Sequence, residues 1–292
     1  MTAKRDDELE RLEIALLVDG VYQHYGCDFR DYAYASLRRR IWNVVNSEHL
    51  GTVTGLLERI LHDPACMERF LAQLTVNVTA MFRDPTFYVA FREQVVPLLR
   101  AYPFIRIWHA GCSTGEEVYS MAILLQEEDL YRRCRIYATD LNEIALKSAR
   151  DGIYPIESMK EFANNYALAG GKADLSDYYT AASYDHVIFR QSLRKHVVFS
   201  HHNLATDGSL NEFNVILCRN VMIYFNPKLQ SRVHNLFYES LRRFGILVLG
   251  HKESLKGTVR EDSYEALDSR EVVRYTATPG ELYRAEALTR RY

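Results

Sequence analysis

The segment HAGCSTGEE, residues 109–117, has the residue types of a ligand-binding turn between a strand and a helix. Gly111 and Gly115 allow positive φ and a close approach of backbone to a ligand. The hydroxyl residues between them add donors beside the free N–H groups of a helix start. Glu116 and Glu117 would repel a pyrophosphate, and the Gly-x-Gly-x-x-Gly spacing is absent, so the turn favours a cationic or hydroxyl-rich ligand. The alternative is an ordinary capped helix with a tight turn before it.

Asp140 ends the next predicted strand, CRIYATD, and is the second candidate for ligand contact. In nucleoside-binding α/β folds an acidic residue at this place binds ribose hydroxyls. It follows Gly111 by 29 residues, whereas the acidic residue of a dinucleotide fingerprint follows its glycines by about 20. The alternative role is an N-cap for the following helix, and the two roles are compatible.

Polar residues also follow the apolar strand EFNVILC, where CRNVMIYF places Arg219, Asn220 and Tyr224. A polar cluster that abruptly ends a buried strand is typical of a site, although aromatic packing is an equal alternative for Tyr224. SHHNL, residues 200–204, follows a further strand. Because ligands of open α/β sheets lie beyond the carboxyl ends of the strands, these segments are expected to surround one crevice.

Strands alternate with helices from about residue 84 onward, which predicts an α/β fold with a mostly parallel sheet. Residues 174–200 interrupt this rhythm and predict a small antiparallel β-subdomain. Residues 1–80 show only helical periodicity and predict an all-α N-terminal domain. The predicted domains are 1–80, 81–285 and a tail, 286–292. The predicted strands are FIRIWHAG, CRIYATD, EFNVILC, ILVLGHKE and EVVRYTA.

Local signals place several helix boundaries and core positions. Ser36 is a predicted N-cap, and Asp84 is another, with Pro85 in the first helical position. NPKLQSRVHNLFYESLRRFG predicts one helix before the strand ILVLGHKE. In the first helix, the apolar positions with helical spacing are Leu9, Leu12, Leu16, Leu17 and Val21.

The composition limits the class of protein. The chain has 292 residues and a formal charge of −2, so nothing favours binding to nucleic acid or insertion into a membrane. Its charged N-terminal segment does not resemble a secretory signal. The five cysteines form no Cys-x-x-Cys pair, which predicts a reducing cytoplasm rather than disulfides or zinc. The pair His201 and His202 also predicts no metal site, because neighbours on a strand point to opposite faces.

Six segments in order resemble the CheR-type chemoreceptor methyltransferases, which methylate receptor glutamates with S-adenosylmethionine (SAM). The resemblance covers about residues 9–255. It implies a Rossmann-like SAM-dependent methyltransferase domain after an all-α domain. The matching segments are LTVNVTAMFRDP, STGEEVYSMA, ATDLNEIALKSARDGIY, FSHHNL, NVILCRNVMIYF and GILVLGHKES.

The resemblance also implies roles for individual residues. Asp140 would bind the ribose hydroxyls, Asn203 and Leu204 would flank the adenine, and Arg83 and Tyr224 would lie by the methyl group and the acceptor carboxylate as the catalytic pair. The expected cofactor-binding residues are Asn77, Thr79, Arg83, Ala110, Gly111, Glu117, Asp140, Asn203, Leu204, Arg219 and Asn220.

The chemistry of such a transfer needs orientation more than proton transfer. A glutamate acceptor has a pKa near ~4.3 and is ionised at neutral pH, so no general base is required. The protein must therefore position the acceptor carboxylate and remove water from it. Two other functions stay open: a SAM enzyme acting on a small molecule or nucleic acid, and a non-catalytic SAM-binding regulator.

Partner recognition has two candidate sites. Arg38, Arg39 and Arg40 form a basic cluster that suits the acidic cytoplasmic methylation helices of a chemoreceptor, with a solvated helix face as the alternative. Some family members also tether a receptor C-terminal pentapeptide through a glycine-rich turn in the β-subdomain. Here no glycine lies between Gly171 and Gly208, which predicts a protein that works without the tether.

Overall fold

The computed structural model describes residues 2–75, 79–267 and 282–285, and the side chains of these residues except 2–5, 265, 266 and 282–285. Contacts between residues divide the chain into a helical unit and an α/β unit. The helical unit comprises Met1–Asn77, Asn203–Asp207 and Tyr224–Val233. The α/β unit comprises Val78–His202, Gly208–Ile223 and His234–Tyr292. Nothing in the sequence pattern predicts the two later segments of the helical unit.

Four helices form most of the helical unit: α1 (Thr2–Tyr25), α2 (Tyr34–Ser47), α3 (Val53–His62) and α4 (Pro64–Leu74). Helix α1 packs on α3, and α4 packs on α2 and α3. The predicted N-cap Ser36 is wrong, because α2 begins two residues earlier. The N–H of Ala33 donates to the Tyr224 carbonyl at 2.8 Å, and this keeps the chain extended up to the first helical residue.

The predicted core positions of α1 are only partly correct. Leu17 and Val21 are buried, but Leu9, Leu12 and Leu16 are about half exposed. The residues that face the interior have the spacing i, i+3, i+4 and i+7. They are Ile14, Leu17, Val18 and Val21. Helix α1 therefore has two apolar stripes, one buried and one partly exposed. Helical periodicity alone does not show which of the two faces the interior.

The strands of the α/β unit, within its described residues, are β1 (Ile105–Ala110), β2 (Cys134–Asp140), β3 (Ile153–Pro155), β4 (Tyr179–Ala181), β5 (His186–Phe189), β6 (Val197–His201), β7 (Phe213–Cys218), β8 (Leu241–Leu249), β9 (Tyr264–Ala266) and β10 (Leu282–Ala285). They form a seven-stranded sheet of order β6-β2-β1-β7-β8-β10-β9 and a three-stranded sheet of order β3-β5-β4. In the larger sheet β1, β2, β6, β7 and β8 are parallel, and β10 is antiparallel to β8 and β9. The mostly parallel sheet is therefore confirmed.

The small antiparallel sheet differs in detail from its predicted range of 174–200. Its third strand, β3, comes from Ile153–Pro155, before that range. Strand β6, which the prediction included, lies instead at the edge of the large sheet, parallel to β2. Short β-segments carry no signal for their partners, because pairing depends on contacts that are distant in sequence.

The remaining helices are α5 (Pro85–Ala90), α6 (Val96–Leu99), α7 (Glu116–Glu127), α8 (Glu143–Asp151), α9 (Met159–Leu168) and α10 (Pro227–Ser240). A π-helical turn, Phe91–Val95, joins α5 to α6 just before Pro97, which has no N–H for the regular pattern. Helix α10 ends at Ser240, and the predicted helical residues 241–244 begin β8, because Leu241 pairs with Phe213.

None of the described helices combines the length and the apolar character needed to cross a bilayer. The predicted last strand EVVRYTA, residues 271–277, lies outside the described residues.

Candidate active site

The carboxyl ends of β1 and β2 are joined by hydrogen bonds. The N–H groups of Gly111 and Cys112 donate to the Thr139 carbonyl at 2.8 and 2.9 Å. The N–H of Ser113 donates to Oδ2 of Asp140 at 2.8 Å. Burial raises the pKa of Asp140, although bonds from nearby N–H groups oppose the shift. The turn after β1 and the carboxylate after β2 therefore form one preorganised surface.

Backbone strain marks the same region. Phe82 and Asp84 have φ of 49° and 56°, and both flank Arg83, while Ser113 and Asn220 have φ of 50° and 62°. Non-glycine residues in this conformation persist only where their surroundings hold them, and they cluster at functional sites. The N–H of Phe82 is held by the hydroxyl of Ser120 at 2.8 Å.

A buried guanidinium bridges two carboxylates at the end of β7. Arg219 donates to Glu117 at 2.9 Å and to Asp84 at 2.7 Å, and its guanidinium lies over the ring of Phe87 at 4.3 Å. The side chain of Arg219 is 2% exposed. His109 Nδ1 lies 2.9 Å from the other oxygen of Glu117, and it donates there because a carboxylate only accepts. We call Asp84, His109, Glu117 and Arg219 the anionic cluster.

The anionic cluster places two carboxylates around one guanidinium. Arg219 pairs with both Glu117 and Asp84, and His251 Nε2 also lies 3.8 Å from Oδ1 of Asp84. Burial opposes ionisation of Glu117, but the hydrogen bond from His109 and the charge of Arg219 outweigh it and lower its pKa to about 2. The carboxylate is thus charged at neutral pH, and one fifth of its side chain remains exposed.

The two glutamates at the start of α7 have different surroundings. Glu116 is buried and accepts a hydrogen bond from the Thr114 hydroxyl at 2.7 Å. Burial raises the pKa of Glu116, whereas Glu117 is the charged member of the anionic cluster. These surroundings favour Glu117 over Glu116 as the ligand contact.

The lowered pKa of Glu117 predicts acid sensitivity. From an ordinary 4.5 to about 2, the shift corresponds to about 3 kcal/mol of stability. It is fully present above the unfolded-state pKa and is lost as pH falls toward the folded-state pKa. Urea denaturation of the wild type and Glu117→Gln measures the difference in unfolding free energy. It should shrink between about pH 6 and about pH 3; a difference independent of pH would contradict this assignment.

The predicted site residues fall into both units. Most of them belong to the α/β unit: Thr79, Arg83, Ala110, Gly111, Glu117, Asp140, Arg219 and Asn220. Of these, Thr79 and Arg83 are half-buried and Ala110 is buried. Asn203, Leu204 and Tyr224 belong to the helical unit, and Asn77 lies outside the described residues.

Asn203 has a donor available for a ligand. Its N–H donates to Asp207 at 2.9 Å and its side-chain oxygen accepts from the N–H of Ala205 at 2.9 Å. Its buried Nδ2 has no hydrogen-bond partner within the part of the chain that the structure describes. A buried amide without a partner is costly, and a hydrogen-bond acceptor on a ligand would satisfy it.

One residue of the predicted basic cluster is not exposed. Arg40 is 5% exposed; its guanidinium donates to the carbonyl of Leu74 and lies over the ring of Tyr224 at 4.1 Å. Arg40 therefore stabilises the helical unit and does not belong to an exposed docking face. Arg38 and Arg39 are exposed, and Arg38 pairs with Glu10 at 2.8 Å.

The sequence analysis does not predict the contacts of three residues in this region. His109 precedes the glycine turn by two positions, and its spacing of eight from Glu117 carries no motif. Asp84 is predicted only as a cap, but its side chain makes no cap bond and faces Arg219. Glu253 binds backbone N–H groups of the turn after β7, although GHKES gives no signal for this contact.

The parallel sheet, the turn after β1 and the acidic end of β2 are the arrangement of a nucleoside-binding α/β fold. Two family models match the chain: the CheR methyltransferase SAM-binding domain over residues 77–273 and the CheR methyltransferase all-alpha domain over residues 12–75. The chain belongs to the CheR methyltransferase family. The family assignment, the all-α domain before the methyltransferase domain and SAM-dependent methyl transfer are thereby confirmed.

Curated relatives cover most of the chain. A Pseudomonas putida protein named "Putative methyltransferase Cher3" is 50% identical over 91% of this chain and 96% of its own length. The chemotaxis protein methyltransferase of Salmonella typhimurium is 32% identical over 80% of this chain and 79% of its own. That of Listeria innocua is 31% identical over 80% of this chain and 87% of its own.

Proposed function

We propose that this enzyme transfers the methyl group of SAM to glutamate side chains of a chemoreceptor-like protein in the cytoplasm. The observation that carries the proposal is the anionic cluster, whose ionised, partly exposed Glu117 carboxylate suits a sulfonium and an ammonium group. The names of the relatives, chemotaxis protein methyltransferase, support the receptor as substrate.

The residues present fit SAM as the methyl donor. Asp140 offers a carboxylate to vicinal hydroxyls, the free amide donor of Asn203 suits a purine nitrogen, and Leu204 offers an apolar wall. The backbone at Ala110 and Gly111, with Thr79, Arg219 and Asn220, completes the proposed set, to which the resemblance adds Asn77. Glu117 contributes charge to this set. We propose no metal.

Methyl transfer joins an acceptor carboxylate oxygen to the methyl carbon while the carbon–sulfur bond breaks and its electron pair stays on sulfur. SAM supplies the electrophilic methyl group and leaves as S-adenosylhomocysteine. No proton moves, so the protein needs no general base. We assign Arg83 to orient the acceptor through charge-assisted hydrogen bonds and Tyr224 to orient it through its hydroxyl. The strained residues on both sides of Arg83 fix its backbone in advance.

The receptor-docking proposal narrows to Arg38 and Arg39. Reversing both charges (Arg38→Glu, Arg39→Glu) should raise KM for a receptor fragment about tenfold, because a complementary charge is replaced by a repulsive one. The dissociation constant for S-adenosylhomocysteine should stay unchanged. Arg69→Glu is the matched control, since Arg69 is an equally exposed arginine of the helical unit that pairs with Glu48. An equal rise in KM for the control would reject the docking face.

The proposed independence of a pentapeptide tether is tested separately. The turn between β4 and β5 is closed by its own contacts: the N–H of Ala182 donates to the His186 carbonyl at 2.9 Å, and the Ser183 hydroxyl donates to Asp185 at 3.1 Å. No glycine supplies positive φ there. Calorimetry with a receptor C-terminal pentapeptide should give no heat of binding, and measurable binding would overturn the proposal.

The function itself is tested with tritiated SAM and receptor cytoplasmic fragments. Label on receptor glutamates supports it. Label on a small molecule or nucleic acid instead would favour a different methyltransferase. Tight binding of SAM with no turnover on any acceptor would favour a regulatory module.

A further inference from the structure

We propose that Glu253 is a positioning residue for SAM binding: its buried carboxylate fixes the turn that carries Arg219 and Asn220. The turn is residues 219–222, directly after β7. This inference rests on the proposed SAM site, and it concerns a residue that touches neither the ligand nor the acceptor.

The carboxylate of Glu253 is 6% exposed and accepts from four backbone N–H groups. Oε1 accepts from Val221 at 2.8 Å and Met222 at 2.7 Å. Oε2 accepts from Asn220 at 2.9 Å and Gly250 at 2.7 Å. Charge-assisted hydrogen bonds of this kind are roughly twice as strong as neutral ones, so one side chain holds three successive residues of the turn and the residue after β8.

A set of converging N–H groups is the usual construction of an anion-binding nest. Here the chain fills the nest with its own carboxylate, so the nest serves to fix the turn and not to bind a ligand anion. The fixed conformation includes Asn220 at φ 62°, which would otherwise relax toward a common backbone region.

The position of this turn determines the position of its neighbours. A Cβ on Gly111 would lie 2.5 Å from Cγ2 of Val221, so the turn after β1 and the turn after β7 are in close contact. Arg219, the first residue of the turn, forms both ion pairs of the anionic cluster. A shift of the turn would therefore displace Gly111, Asn220 and the guanidinium together.

Gly250 gives an independent way to displace the same turn. A Cβ there would lie 2.7 Å from Oε2 of Glu253 and 2.9 Å from the nitrogen of Asn220. Its φ lies outside the left-handed region, so alanine is compatible with the backbone. Gly250→Ala thus pushes on both the carboxylate and the turn while leaving the Glu253 side chain chemically unchanged.

The test measures the dissociation constant for S-adenosylhomocysteine by calorimetry. Glu253→Gln sets an amide NH2 against backbone N–H groups, and it should weaken binding about tenfold to 100-fold, as small displacements of binding groups do. Gly250→Ala should weaken binding in the same range, and the double variant should lose less than the sum because both act on one turn. Glu128→Gln is the matched control: Glu128 is also buried, but it pairs with Arg92, Arg100 and Lys172.

The control should lose melting temperature but keep the affinity of the wild type. Unchanged ligand affinity in a folded Glu253→Gln variant overturns the proposal. If Glu253→Gln does not fold, unchanged ligand affinity in Gly250→Ala overturns it instead. An equal loss of affinity in Glu128→Gln also overturns it, because general loosening would then explain the effect. Receptor methylation is not part of this test, so a failed methylation assay with normal ligand binding rejects the proposed substrate and leaves the role of Glu253 intact.

Discussion

Arg219→Leu is expected to abolish binding of S-adenosylhomocysteine and to lower the free energy of unfolding by about 3–5 kcal/mol. The replacement leaves Asp84 and Glu117 as two partly buried carboxylates without their shared cation. Urea denaturation and calorimetry measure the two effects. The double variant with Glu117→Gln should recover part of the stability, because one of the two orphaned charges is removed.

Arg92→Leu is the matched control for Arg219→Leu. Arg92 is also a largely buried arginine between two carboxylates, Glu127 and Glu128. Its other hydrogen bond goes to the carbonyl of Ala169, so these contacts include none of the proposed ligand residues. Arg92→Leu should lower the free energy of unfolding by about as much as Arg219→Leu does and should leave the affinity for S-adenosylhomocysteine unchanged. Retained affinity in Arg219→Leu would contradict the role given to the anionic cluster.

Asp140→Ala is expected to weaken binding of SAM more than about 100-fold, because each hydrogen bond to a charged group contributes about 1.5–3 kcal/mol and two ribose hydroxyls are involved. Asp140→Asn should give an intermediate loss, since it keeps one acceptor for the turn after β1. Glu143→Gln, an exposed change on the adjacent helix α8, is the control.

A ligand analogue isolates the contact between Asp140 and the ribose. S-adenosylhomocysteine without its ribose hydroxyls should bind the wild type much more weakly than the parent ligand does. Asp140→Ala should bind both compounds equally. If the variant still distinguished them by the same factor, the hydroxyls would be held by another residue.

The sequence predicts those strands and helices that depend only on residues close together in the chain. The strands that end at Ala110, Asp140 and Cys218 follow from short apolar runs, and the parallel sheet follows from their alternation with helices. Asp140 is the last residue of β2, a strand that the apolar pattern of the sequence predicts. The start of β8 was mispredicted because residues 241–244 continue a helical pattern, and only their pairing with β7 overrides it.

The anionic cluster could not be predicted from spacing. Arg219 lies 102 residues from Glu117 and 135 from Asp84, and no local periodicity relates positions so distant. The burial of Arg40 has the same origin, because its partners Leu74 and Tyr224 come from other segments. A run of three arginines reads as one exposed face, although a helix turns by 100° per residue and sets one of the three toward the interior.

The chemistry of the bond to the labelled methyl group tests the central claim most directly. Receptor fragments are incubated with the enzyme and tritiated SAM, then exposed to mild alkali. We predict that the label is released as volatile methanol, because a carboxylate methyl ester hydrolyses, and that replacing the receptor's glutamates with alanine removes the labelling. Label that survives alkali, or that persists without those glutamates, would contradict glutamate O-methylation.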